Sequence, residues 1–95
     1  MDEKSAYRQK LQARLDKWQA EIDKLQAKAV EASADARLEY EDQVEKLRQQ
    51  QDEASQKLKE FDDASGEAWK DLKGGVEQAW DDLGAAVKNA TERFG

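Results

Sequence analysis

The sequence predicts an all-α protein made of long amphipathic helices. Three observations predict it. Charged residues make up 40% of the chain and apolar residues 38%, a balance suited to two-faced helices rather than to a mixed α/β core. Proline is absent, so nothing forbids long helices. Apolar residues also recur every third or fourth position from Tyr7 to Phe61, about 15 turns of one helical face. The tryptophans Trp18, Trp69 and Trp80 all fall on such faces. A disordered, charge-rich chain has no reason to keep them in phase.

The first third opens with Asp2 and Glu3, which suit the positive end of a helix. Its seam is Tyr7, Leu11, Leu15, Trp18, Ile22 and Leu25, continued by the small residues Ala29, Ala32 and Ala36. Residues 27–36 read AKAVEASADA, an alanine-rich waist without Gly or Pro. Ser33 or Asp35 could cap a new helix there. However, the stripe crosses the waist in phase and alanine is the best helix former, so one helix is expected to run through it.

The middle third continues the stripe through Tyr40, Val44, Leu47, Gln51, Ala54, Leu58 and Phe61. Gln51 is its one plainly polar member, read as a wet edge or a register-setting residue. Leu38 lies off the stripe. The stretch Asp62-Asp63-Ala64-Ser65-Gly66-Glu67 is the best turn signal: Gly66 weakens the helix, and Ser65 and Glu67 suit the start of another. In the last third, Trp69, Leu72, Val76, Trp80, Leu83, Val87 and Phe94 share one face of a separate helix.

Composition excludes several functions. Without Cys there are no disulfides or thiolate sites, and without His the commonest general base and metal ligand are missing. The carboxylates, such as Asp62-Asp63 and Asp81-Asp82, fall on solvated faces, so no catalytic residue, cofactor or metal site is assigned. The net charge of −6, with basic and acidic residues interleaved along the chain, opposes nucleic acid as a partner. No apolar run approaches a membrane span, and the acidic start lacks a signal core, so a cytoplasmic location is expected.

The alternation of charged residues with a seam of small and large apolar ones, followed by SGEAWKDLKGGVEQAWDDLGAAV, resembles a family of small bacterial coiled-coil proteins labelled as stress-response proteins; the resemblance covers most of the chain and is most specific over Ser65 to Leu83. The segment's repeated W-x-x-L pattern, Trp69–Leu72 and Trp80–Leu83, is also similar to apolipoprotein-type amphipathic repeats. The resemblance implies a small, helical, non-enzymatic protein and transfers no site residue.

The expected architecture is one domain over residues 1–95. A helix over about 2–62 folds against a shorter antiparallel helix over about 66–94, in a coiled-coil dimer. The shorter helix covers only the middle third of the longer one, which leaves the seam from Tyr7 through Ala36 as an interface for a second copy. Crossing two long helices at the waist would place the first third, with seven basic and six acidic residues, against two acidic thirds. The alternative is a monomeric three-helix bundle with a turn at Ser33–Asp35, a domain-swap relative of the dimer. The expected function is helical self-assembly or association with another protein, and the resemblance implies a link to stress. The rival is reversible binding to a lipid surface through the last helix.

Overall fold

The computed structural model describes residues 2–94; Met1 and Gly95, the ends of the expected 1–95 domain, lie outside the described residues. The protein is an all-α bundle of three helices: α1 (Glu3–Glu31), α2 (Ala34–Asp63) and α3 (Trp69–Phe94). A continuous helix over 2–62 would be roughly 90 Å long, whereas the longest dimension of the Cα trace is 52 Å. The expectation of one long helix is therefore corrected: the chain reverses at Ala32–Ser33, as in the three-helix alternative.

The reversal has a local cause. Ala32 and Ser33 take extended backbone angles, and the Ser33 hydroxyl accepts a 3.4 Å hydrogen bond from the Ala36 N–H to open α2. Arg37, one turn into α2, reaches back over the break. Its Nε donates to the Ala29 carbonyl at 3.1 Å, and its Nη2 donates to the Val30 carbonyl at 2.6 Å. The last carbonyls of a helix lack internal partners and carry its negative end, so a guanidinium there stabilises termination.

The same device recurs at the other two helix ends. Lys4 Nζ, from α1, donates to the Ala64 carbonyl at 2.9 Å beyond the end of α2. The Tyr40 hydroxyl, from α2, donates to the Phe94 carbonyl at 3.2 Å at the end of α3. Each C-terminus is thus closed by a side chain of a neighbouring helix, and capping becomes part of tertiary packing. At the start of α1 the closure is local: the Asp2 carboxylate accepts from the Ser5 N–H at 2.7 Å. That bond holds the Asp2 carboxyl below its ordinary pKa.

The second link lies where the turn signal placed it. It spans Ala64 to Ala68, and Gly66 takes a φ of +56°, a left-handed conformation that favours glycine. Helix α3 starts at Trp69, three residues later than residue 66, because residues 66–68 form the turn itself.

With two reversals, α1 and α3 run parallel and α2 runs antiparallel to both. The core draws on all three helices: Leu11, Leu15, Ile22 and Leu25; Leu47, Ala54, Leu58 and Phe61; Trp69, Val76, Trp80, Leu83 and Val87. Tyr7, Phe61 and Trp69 cluster at one end, with ring centroids 5.6 to 6.2 Å apart, and Tyr40 and Phe94 lie 4.4 Å apart at the other. Trp80 joins α3 to α1 directly: it is fully buried, and its indole N–H donates to the Leu11 carbonyl at 3.0 Å.

Candidate interaction surface

The seam assigned to an interface lies inside the bundle. Leu11, Leu15, Ile22, Leu25 and Ala29 are buried, and Tyr7, Trp18, Ala32 and Ala36 are half-buried. Within a single chain, α2 and α3 cover the face that the hairpin of a second copy was expected to cover. The sequence thus marked the apolar face of α1, and the reversal at Ala32–Ser33 decides which segment meets it.

Polar contacts fix how α1 is held. On its α2 side, Arg48 forms a 2.8 Å ion pair with Asp23 and also donates to Gln26. Gln51, the polar stripe residue, is half-buried and hydrogen-bonds Gln19. It therefore closes the edge of the α1–α2 interface rather than facing water alone. Arg8 donates to both oxygens of Asp62 at 3.2 Å. On the α3 side, Tyr7 donates to Glu77 at 2.8 Å, and burial together with this bond pushes the phenol up to about 12.

Trp18 marks the looser side of the molecule. Its ring lies against α3 at Gly84, where an added Cβ would stand 2.8 Å from Trp18 Cζ2. The Arg14 guanidinium stacks 4.9 Å from the ring centroid and also pairs with Asp81 at 3.6 Å. A groove of about 410 Å³ opens here, with Trp18, Gly84 and Val87 as its apolar part and two lysines, Lys17 and Lys88, and two glutamates, Glu21 and Glu92, around them.

One surface feature escaped the sequence reading. Read along the chain, the basic residues of α1 alternate with acidic ones. Read at helical spacing, Lys10, Arg14, Lys17, Lys24 and Lys28 form a row interrupted only by Glu21. Trp18–Gly84, Arg14–Asp81 and the groove itself show that this row borders α3. The spacing was the available signal. Leu38, off the stripe in the sequence, projects from α2 at 68% exposure; Val30, beside the α1–α2 link, is equally exposed.

Among the described residues, no group of three or more His, Cys, Asp or Glu side chains is placed to hold a metal ion. No helix among them is long and apolar enough to cross a membrane. Comparison with protein-family models, with curated proteins and with solved structures returns no match.

Proposed function

We propose that this chain is a non-enzymatic helical association module in which two copies can exchange α1. The observation that carries this reading is the α1–α2 link: two residues in ordinary extended conformation, between apolar rows that stay in phase across it. Making those two residues helical joins α1 and α2 into one rod. The contacts of α1 with α2 and α3 then re-form with the hairpin of a second copy, including Trp80 to Leu11. Such an exchange leaves nearly all apolar burial unchanged, so the balance rests on the link. Closure is favoured by the Ser33 cap and the two Arg37 bonds, and opening by the alanine-rich waist and the extra helical hydrogen bonds. The resemblance of Ser65–Val87 to stress-response coiled-coil proteins fits this association role. Lipid binding by α3 would require the fully buried Trp80 to leave the core.

The test is the mass of the protein in solution. Ser33→Ala with Arg37→Ala removes the closing contacts and should raise the fraction of dimer. Two glycines inserted between Ala32 and Ser33 should abolish it, because a flexible link removes the continuous rod. A 10.8 kDa species at every concentration, in the double variant as well as the native chain and after refolding at high concentration, would overturn the proposal.

A further inference from the structure

We infer that two ion pairs of opposite sense, Arg8 with Asp62 and Asp23 with Arg48, make the exchange of α1 selective. The inference rests on the exchange proposed above and names its partner: the α2–α3 hairpin accepts an α1 of this same chain, entering in one direction.

The apolar contacts do not make that choice. Leu11, Leu15, Trp18 and Ile22 follow one another at steps of four, three and four residues, a pattern that reads the same from either end. The hydrogen bond from Trp80 goes to a main-chain carbonyl, that of Leu11, and every helix offers main-chain carbonyls. The Trp18 ring against Gly84 adds a preference of shape at one point only. Burial therefore holds α1 strongly and identifies it poorly, since apolar side chains of about the right size can replace one another.

The charges do make it. Among the described residues, three ion pairs join α1 to the hairpin. Arg14 with Asp81 is the longest, at 3.6 Å, and the Asp81 side chain is largely exposed. The other two are better built. Arg8 forks onto both oxygens of Asp62 at 3.2 Å. Arg48 donates to Asp23 at 2.8 Å and also to Gln26 and Gln51, and its bond holds the Asp23 carboxyl below its ordinary pKa. Bidentate and networked pairs are the surface pairs that carry weight.

The sense of the two pairs alternates. Near its start α1 supplies the cation and α2 the anion; further along α1 supplies the anion and α2 the cation. The pairs stand about four turns apart on both helices, so they fix register as well as direction. An α1 entering the other way round brings Arg8 towards Arg48 and Asp23 towards Asp62, like against like at both places. A foreign helix with the same apolar row but another order of charges leaves one or both hairpin groups unmatched or repelled. Repulsion of the wrong partner, more than attraction of the right one, is what discriminates.

Reversing the charges on one side at a time tests this. Arg8→Asp with Asp23→Arg reverses α1, and Arg48→Asp with Asp62→Arg reverses the hairpin. Each double variant keeps the native net charge of −6, so no bulk attraction is introduced. Alone, each sets like charges together at both pairs, whether closed or exchanged. Mixed, they can form an exchanged heterodimer in which every pair is matched. One variant is labelled with nitrogen-15, the two are refolded together, and dimers are counted by native mass spectrometry. Heterodimer should exceed the two homodimers by about ten-fold or more at low salt, and the excess should shrink in about 0.5 M salt. A single chain carrying all four substitutions should melt near the native chain and above both double variants, as followed by circular dichroism. The single changes Arg8→Asp and Asp62→Arg, mixed in the same way, disturb one contact per chain and serve where a double variant does not fold. Heterodimer at no more than its statistical half of all dimers overturns the inference and leaves the exchange standing. A mixture that stays monomeric overturns the exchange and the inference with it. A four-fold variant that melts no higher than the double variants also overturns the inference, because the pairs are then not complementary.

Discussion

Replacing Trp80 by alanine tests the bundle at its centre. The side chain is fully buried, and its N–H provides the hydrogen bond that ties α3 to the backbone of α1. Truncating a buried tryptophan to alanine typically costs about 3–5 kcal/mol, the lost transfer energy plus the cavity left behind. The Leu11 carbonyl also loses a donor, but within α1 it keeps its helical partner, so that part is small, about 1 kcal/mol or less. A domain of this length is stable by roughly 5–14 kcal/mol, so the variant should remain folded with a much reduced margin. Urea unfolding followed by circular dichroism reads the effect directly. With a slope of about 2 kcal/mol per molar, the midpoint should fall by roughly 1.5–2.5 M. Trp18→Ala is the control: that ring is half-buried on the groove side, and its loss should cost no more than about 2 kcal/mol. A cost below about 0.5 kcal/mol for Trp80→Ala, or equal costs for the two variants, would refute the packing. The contact is the same in the closed and exchanged forms, so the outcome speaks to the bundle alone.

The glycines of α3 should respond differently to alanine. Gly74→Ala and Gly75→Ala meet open space and should each raise stability by about 0.5–1 kcal/mol, whereas Gly84→Ala pushes the Trp18 ring outward, yielding no such gain and a red-shifted tryptophan emission. Gly66→Ala should lower the melting temperature, because alanine is strained at a φ of +56°, and Gly66→Pro should lower it further, because proline fixes φ near −65°. Tyr7 gives a pH signature: its folded pKa of about 12 lies above the ordinary 10, so its contribution is complete below pH 10 and is lost as pH rises from 10 through 12. Tyr7→Phe should flatten that part of the stability profile; an unchanged slope would remove Tyr7 as its source.

The apolar faces were legible because burial is written into helical spacing. Leu11, Ile22, Leu47, Trp80 and Leu83 are all on the predicted faces and all buried. The turn at Gly66 was legible because left-handed backbone calls for glycine. The break at Ala32–Ser33 was not, although Ser33 stood out as a capping residue. Two helices that send their apolar rows into one core look the same in sequence as a single continuous row. What ends α1 is Arg37, whose side chain bonds the Ala29 and Val30 carbonyls across the link. Lys4 and Tyr40 cap helices 60 and 54 residues away, a pairing that only the fold creates. The basic edge of α1 could have been read, had Lys10, Arg14, Lys17, Lys24 and Lys28 been counted by helical turn instead of in linear order.

The bond between Trp80 and Leu11 has a consequence for how the chain is made. Its two ends are 69 residues apart, so at roughly 5–20 residues per second the ribosome delivers the acceptor about 3–14 s before the donor. Throughout that interval α1 has been translated while Trp80, Leu83 and Val87, which complete its covering, do not yet exist. The helix that is born first is therefore the last to be fully enclosed. Where several ribosomes translate one message, neighbouring nascent chains present waiting α1 segments and newly finished hairpins close together. Under the proposed exchange, biosynthesis on polysomes would be the stage at which one copy's α1 most readily meets another copy's hairpin.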